Sequence, residues 1–171
     1  RLIHHSLLVG VKASGAKLLR FKHNNLSELE KLLKRSRQSK PQNKPLVITE
    51  SLFSMEGTTA PIKEISKLCI KYDSKLLIDE AHALGVMGSE GRGESFGIKE
   101  PISIISGTFG KAFGSGGAFL ATDKITGKDL IQNCGAFRYT TALAPSICAS
   151  ALAALNLIRN NPTWGRKLQE Q

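Results

Sequence analysis

Two short apolar runs on either side of a helical pattern constrain the fold of this chain more than any other feature. Residues 45–49 and 75–79 have the length and composition of buried parallel strands. Residues 61–72 show helical spacing and begin on a proline, which is favoured in the first turn of a helix. The sequence therefore predicts a βαβ unit in the middle of the chain.

The same alternation continues on both sides of this unit. Residues 102–106 and 117–121 are two further strand candidates, and residues 17–21 look extended. Helical patterns cover residues 6–14, 27–35, 124–134 and 145–158. Ser27 and Glu30 have the spacing of a capping box at the start of the second helix. The whole pattern predicts an α/β fold with an open, mostly parallel sheet and helices on both faces.

Composition limits the class of protein. The chain has 171 residues, of which 41% are hydrophobic and 22% charged, as in soluble globular domains. No stretch approaches the roughly 18 apolar residues of a membrane span, and the start does not resemble a signal peptide, so we expect a cytoplasmic protein without a membrane partner. Cys69, Cys134 and Cys148 are odd in number and widely spaced. We expect reduced, mostly buried thiols, no disulfide framework and no metal.

A basic run accounts for much of the net charge of +10. Residues 31–44 contain six Lys and Arg side chains, which suggests contact with phosphates. The run lacks aromatic residues for base stacking and is interrupted by Pro41. We therefore favour a solvated loop and expect no nucleic-acid partner. An anionic ligand such as coenzyme A stays open for this run, and a noncatalytic basic α/β module that binds nucleic acid is the remote alternative.

Polar residues follow three of the predicted strands. Ser54 follows the strand at residues 45–49. Asp79 ends the strand at residues 75–79 and His82 follows it, and Thr108 and Lys111 follow the strand at residues 102–106. Ligands of open α/β sheets bind at the carboxyl ends of strands, so these side chains are expected at one edge. Taken singly, Asp79 could be a helix cap, His82 a structural histidine and Lys111 a surface charge.

Lys111 and Asp79 together suggest a specific chemistry. Lys111 lies among small residues between Phe109 and Phe113, and Asp79 ends an apolar strand. A lysine can form a Schiff base with pyridoxal phosphate (PLP), and a carboxylate can keep the pyridine nitrogen of that cofactor protonated. The glycine-rich residues 107–117 do not match nucleotide loops, since Ile105 and Ala112 stand where a P-loop needs Gly and Ser or Thr. The spacing also fails the dinucleotide fingerprint.

Three motifs carry a family resemblance. Residues 108–114 (TFGKAFG) resemble the lysine attachment signature of fold-type I PLP enzymes. With residues 50–57 and 79–86 in the same order, the chain resembles the α-oxoamine synthases over nearly its whole length. Residues 107–112 and 138–141 are most similar to the branch of this family that acts in biotin biosynthesis. The resemblance implies that residues 1–171 are part of a PLP-binding large domain, without its amino-terminal segment and the small carboxyl-terminal domain.

The resemblance also implies roles for the residues at the predicted sheet edge. Lys111 would form the internal aldimine with PLP, and Asp79 would bind the pyridinium nitrogen. His82 and Ser54 would bind the phenolic oxygen of the cofactor, and Thr108 its phosphate.

Four residues outside that group acquire roles by the same resemblance. His4 matches a histidine that stacks on the pyridine ring and is counted with Lys111, Asp79 and His82 as catalytic. Thr140 and Thr141 match positions that approach the phosphate of the neighbouring subunit, which implies a homodimer. Glu50 resembles an active-site acid.

The implied activity is a decarboxylating condensation of an amino acid with an acyl thioester to give an aminoketone. In the biotin branch these small-molecule substrates are alanine and a pimeloyl thioester of coenzyme A or a carrier protein. Other α-oxoamine synthases, such as 2-amino-3-ketobutyrate CoA ligase, and a fold-type I aminotransferase stay open as alternatives. We expect the isolated chain to be inactive, since a domain lacking its first strand and cap would expose apolar surface.

Overall fold

Helices and strands alternate through most of the chain. The computed structural model of the protein describes residues 2–171. The helices are α1 (His5–Ala13), α2 (Leu26–Ser39), α3 (Ile62–Lys71), α4 (Lys124–Asn133), α5 (Gly135–Arg138), α6 (Pro145–Asn160) and α7 (Trp164–Gln169). The strands are β1 (Leu46–Glu50), β2 (Lys75–Asp79), β3 (Ile104–Thr108) and β4 (Ala118–Thr122), and a short 3₁₀ turn covers Ser89–Gly91.

The four strands form one sheet in the order β1-β2-β3-β4. The first three strands are parallel, and β4 pairs antiparallel with β3. The prediction of an open, mostly parallel sheet is confirmed. The direction of β4 follows from its short connection, residues 109–117, which is closed by hydrogen bonds from Phe109 N to Gly117 O and from Ser115 N to Phe109 O, each 2.9 Å. A parallel partner would require a crossover of a dozen or more residues.

The hydrophobic core lies between this sheet and the helices α2 and α3. Leu29 and Leu33 of α2 pack with Ile65 of α3 against Val47 and Leu76 of the sheet. Burying a side chain of this size stabilises the fold by about 1.5–3 kcal/mol. Because side chains alternate along a strand, the neighbours of these residues in β1 and β2 point to the opposite face.

The predicted capping box at the start of α2 is wrong. Ser27 lies inside the helix, and the cap is Asn25, whose side-chain oxygen accepts from Glu28 N at 2.8 Å. Glu30 turns instead to α3, where it binds the Lys71 ammonium at 2.6 Å and the Tyr72 hydroxyl at 2.9 Å. Asn is as favourable an N-cap residue as Ser, so the helix begins directly after Asn25 rather than after Ser27.

The basic run does not form the predicted loop. Its first part belongs to α2, which continues to Ser39, and Lys44 near its end pairs with Asp73 at 3.0 Å. Because β1 begins directly after the run, these charges lie near the amino ends of the strands, away from the edge that carries the predicted site. Residues 17–21 are not part of the sheet either.

The cysteines differ in environment. Cys69 is buried in the core, and this burial raises its pKa to about 12. Cys134 is half-buried and Cys148 is exposed, so the prediction of mostly buried thiols is wrong. Within residues 2–171, no helix is long and apolar enough to cross a membrane, and no group of three or more His, Cys, Asp or Glu side chains is placed to hold a metal ion.

Candidate active site at the carboxyl ends of the strands

The strand register brings three polar side chains into one row. Glu50 pairs with Asp79, and Asp79 pairs with Ser106. All three lie on the face of the sheet opposite to α2 and α3, because side chains alternate. Glu50 Oε1 and Ser106 Oγ are buried and have no hydrogen-bond partner among the described residues. An unpaired buried polar atom costs about 1–3 kcal/mol, so this row has the character of a ligand site.

Asp79 occupies the end of β2 and organises the turn that follows it. Its Oδ1 accepts a hydrogen bond from Ala81 N at 3.0 Å. The turn continues with hydrogen bonds from Ala83 N and Leu84 N to the carbonyl of Glu80, at 3.0 and 2.9 Å. A turn rather than a helix follows Asp79, so its alternative role as a helix cap is wrong; its carboxylate stabilises this turn instead, and the turn carries His82 back towards the sheet edge.

Lys111 meets His82 directly. Lys111 Nζ lies 2.5 Å from His82 Nε2, although the two residues come from different loops. Burial, and next the positive charge of Lys111, lower the pKa of His82. This shift favours the neutral imidazole, which has one ring nitrogen able to accept a hydrogen bond. Lys111 is exposed but is held by a specific contact, which distinguishes it from a solvated surface lysine.

A close approach of two loops fixes this contact. Gly85, three residues after His82, has a φ of 83°. A Cβ at this position would lie 2.7 Å from the Cβ of Ala112, the residue after Lys111. Only glycine allows the two loops to lie so close together. Gly85 was not predicted from the sequence, because its importance depends on this contact with a distant loop.

Glu50 belongs to the same electrostatic cluster. Burial raises the pKa of Glu50, and the nearby Asp79 carboxylate raises it further. The backbone N–H of His4 and the charges of His4 and Lys111 act in the opposite direction. His4 itself is the N-cap of α1, and its Nδ1 accepts from Ser6 N at 3.3 Å. The structure thus brings together His4, Glu50, Asp79, His82 and Lys111.

The other predicted residues are placed differently. The hydroxyl of Thr108 shapes the Lys111 loop: it donates to Gly117 O at 3.2 Å and accepts from Gly110 N at 3.1 Å. Ser54 is exposed in the turn between β1 and α3, and Thr140 and Thr141 are exposed after α5. Among the contacts of residues 2–171, none joins these four hydroxyls to Lys111. Their assignment to a cofactor remains a prediction.

Comparison with known proteins gives a consistent assignment. A family model described as aminotransferase class I and II matches residues 1–171. An 8-amino-7-oxononanoate synthase of Anaeromyxobacter sp. (strain K) is 38% identical over 164 residues, which are 95% of this chain and 40% of that protein. The enzyme of the same name from Photobacterium profundum is 40% identical over 172 residues, covering 99% of this chain and 43% of that protein.

Solved structures agree with this result. A serine palmitoyltransferase from S. paucimobilis with a bound PLP–myriocin aldimine superposes with a TM-score of 0.88 at 29% identity, covering 98% of this chain and 43% of that one. An 8-amino-7-oxononanoate synthase from Francisella tularensis gives a TM-score of 0.81 at 33% identity, with coverages of 99% and 48%.

These comparisons confirm the fold type predicted from the sequence and the resemblance to the α-oxoamine synthases. The chain spans less than half the length of the curated relatives that it matches. Its match to the family model, in contrast, extends over every residue. The chain therefore belongs to the aminotransferase class I and II family.

Proposed function

We propose that the intact protein containing this chain is a PLP-dependent α-oxoamine synthase, which condenses an amino acid with an acyl thioester and releases carbon dioxide. The contact between Lys111 and His82 beside Asp79 is the observation that carries this proposal. Residues 1–171 would supply part of the cofactor-binding large domain. Relatives named 8-amino-7-oxononanoate synthase support alanine and a pimeloyl thioester as the substrates.

The residues of the site fit PLP. The cofactor predicted from the sequence is confirmed by similar solved structures of serine palmitoyltransferase, in which PLP is bound. The site offers an amine, a carboxylate and an imidazole, together with the two unpartnered oxygen atoms of Glu50 and Ser106. When bound, PLP supplies an electron sink for the negative charge that forms when an amino acid loses its α-proton.

Each residue of the cluster then has a defined task. Lys111 would anchor the cofactor covalently, and its amine would also be the base that moves the α-proton of the amino acid. Asp79 would keep the ring nitrogen protonated. His82 has a lowered pKa, which favours the neutral ring, and it can accept a proton or a hydrogen bond from Lys111 Nζ. His4 would cover the ring, while Ser54 and Thr108 would bind the phenolic oxygen and the phosphate. Thr108 would have to release Gly117 O in order to donate to a phosphate.

The proposal includes a homodimer in the cytoplasm. Thr140 and Thr141 are exposed, as residues must be if they serve the cofactor of a neighbouring subunit. The basic run lies near the opposite edge of the sheet from Lys111, so we assign it no part in catalysis and propose no nucleic-acid partner.

A product assay tests the proposed reaction. The intact protein, loaded with PLP, is incubated with alanine and pimeloyl-CoA, and free CoA thiol and carbon dioxide are measured. We expect both products in equal amounts, and none with Lys111→Ala. An exposed lysine outside the site, Lys128, provides the matched control, so Lys128→Ala should act as the parent does.

An aminotransferase is the second candidate, because the matching family model carries that description. Alanine with a keto-acid acceptor would then give pyruvate, and no CoA would be released from the thioester. That result would contradict the proposed condensation. Release of CoA with serine and palmitoyl-CoA, but not with alanine and pimeloyl-CoA, would keep the reaction type and replace the proposed substrates.

A further inference from the structure

Glu80 is a buried carboxylate that the proposed chemistry does not use. It has no exposed surface, although it lies between Asp79 and the rest of the turn that carries His82. Its Oε2 accepts from the Ser51 hydroxyl at 2.7 Å and from Glu94 N at 3.2 Å. Its Oε1 accepts from Ser95 N at 2.6 Å. Buried carboxylates are rare unless they are paired in this way.

The donors to Glu80 come from separate parts of the chain. Ser51 directly follows β1, whereas Glu94 and Ser95 belong to the long loop after the 3₁₀ turn. Gly93 precedes these two residues with a φ of 89°, and a Cβ there would lie 2.7 Å from Glu80 Oε2. The loop backbone is thus shaped around the carboxylate, and a larger residue at position 93 would collide with it.

The backbone of Glu80 is hydrogen-bonded to the candidate site, just as its side chain is hydrogen-bonded to the loop. Glu80 N donates to Ser106 O at 2.8 Å, and Ser51 N donates to Asp79 O at 2.9 Å. The Glu80 carbonyl accepts two hydrogen bonds that close the turn around His82. A shift of the Glu80 carboxylate would therefore move the residues on both sides of it.

We propose that Glu80 is a positioning residue for the cofactor site. Its carboxylate joins the ends of β1 and β2 to the loop at residues 94–95, and this fixes Asp79 and His82 relative to Lys111. The inference rests on the proposed function, since it assigns the fixed geometry to the binding of PLP.

Glu80→Gln tests this role with little change of volume. One carboxylate oxygen becomes an NH₂ group, which must face the N–H of Ser95 on one side or of Glu94 on the other. A donor then meets a donor in a buried site, so one hydrogen bond is lost whichever way the amide turns. Glu56→Gln, at an exposed glutamate, controls for the same chemical change at the surface.

Ser66→Ala controls for loss of stability alone. Ser66 is as buried as Glu80, and its hydroxyl donates to Pro101 O at 3.0 Å. Pro101 precedes β3, so this bond lies near the amino end of the strands. If loss of stability alone weakens PLP binding, Ser66→Ala and Glu80→Gln should both show the weaker binding. If Glu80 positions the site, only Glu80→Gln should show it.

The intact protein and its variants are titrated with PLP by absorbance at several pH values, and unfolding is followed by circular dichroism. We expect Glu80→Gln to fold, to bind PLP at least roughly tenfold more weakly and to shift the pH profile of the absorbance. Ser66→Ala and Glu56→Gln should keep the affinity and the profile of the parent. Parent-like binding by Glu80→Gln, or an equal loss in Ser66→Ala, would overturn the positioning role.

Amide hydrogen exchange in the cofactor-free protein gives an independent measurement. We expect faster exchange at Ser95 N and at Ala81 N, the donor to Asp79, in Glu80→Gln but not in Ser66→Ala. Unchanged exchange at Ala81 would show that the carboxylate does not hold Asp79. Failure of the parent to take up PLP would contradict the proposed function, whereas uptake that does not depend on Glu80 contradicts this inference alone.

Discussion

Replacement of Gly85 by alanine is the most informative perturbation of the loop packing that holds Lys111. The new methyl group would stand 2.7 Å from the Cβ of Ala112, with Ile158 Cδ1 at 3.4 Å on another side. Carbon atoms normally approach to about 3.5–4.0 Å, so Ala112 and the attached Lys111 must move by about 1 Å. The change acts on the site without touching any side chain assigned to the chemistry.

Two energetic costs determine how far Gly85→Ala lowers the free energy of unfolding. An alanine at the φ of 83° costs about 1–2 kcal/mol, and overpacking costs about 1–3 kcal/mol more. We therefore expect the free energy of unfolding to fall by about 2–5 kcal/mol. A misplacement of about 1 Å at a reacting group can lower the rate by about 100-fold, and we expect this loss in turnover under conditions where the variant is still folded.

Gly97→Ala is the matched control. Gly97 has a φ of 84°, nearly that of Gly85, but a Cβ there meets nothing within 4 Å. Urea denaturation and CoA release are measured for both variants. Gly97→Ala should show the backbone cost alone and keep the parent turnover. Equal turnover in the two variants would refute the argument that the contact between Gly85 and Ala112 places Lys111.

Three further predictions concern separate parts of the chain. Asn25→Ala removes the cap that accepts from Glu28 N and should lower the free energy of unfolding by about 1 kcal/mol in urea denaturation; an unchanged midpoint would contradict the assigned helix start. The pKa of Glu50 is raised by folding, so its contribution to stability is present at low pH and is lost as pH rises through the raised value. Glu50→Gln should therefore gain stability relative to the parent as pH rises above the ordinary range of a glutamate carboxyl, and parallel stability profiles of the two proteins would contradict this assignment. Cys69, whose pKa is about 12, should resist alkylation at pH 8 until the protein unfolds, as mass spectrometry can show, and rapid labelling of the folded protein would argue against its burial.

The positions of the strands along the chain could be predicted from the sequence because their apolar runs are short and most are separated by helical patterns. Residues 45–49 and 75–79 match β1 and β2 closely. The antiparallel direction of β4 could not be recognised from its own residues, since it depends on how tightly the preceding loop closes. The cap of α2 was also misplaced, because Glu30 was read as a local partner of Ser27 and instead binds Lys71 and Tyr72.

Site residues could be predicted from the sequence where their side-chain chemistry explains a position at the end of a strand. Lys111, Asp79 and His82 could be identified on that ground, and the structure places Lys111 against His82. Glu80 and Gly85 were missed because their importance depends on burial and on contacts with distant segments. A glutamate after a strand is expected to be exposed, and the sequence carries no signal that Ser51 and Ser95 enclose it.

The central claim is that Lys111 is the residue that holds PLP. The most direct measurement is reduction of the loaded intact protein with borohydride, followed by digestion and mass spectrometry of the peptides. We predict a phosphopyridoxyl group on Lys111 and its loss in Lys111→Ala, with no label on the lysines of the basic run. A modified residue other than Lys111, or the absence of any modified peptide after PLP loading, would contradict the account.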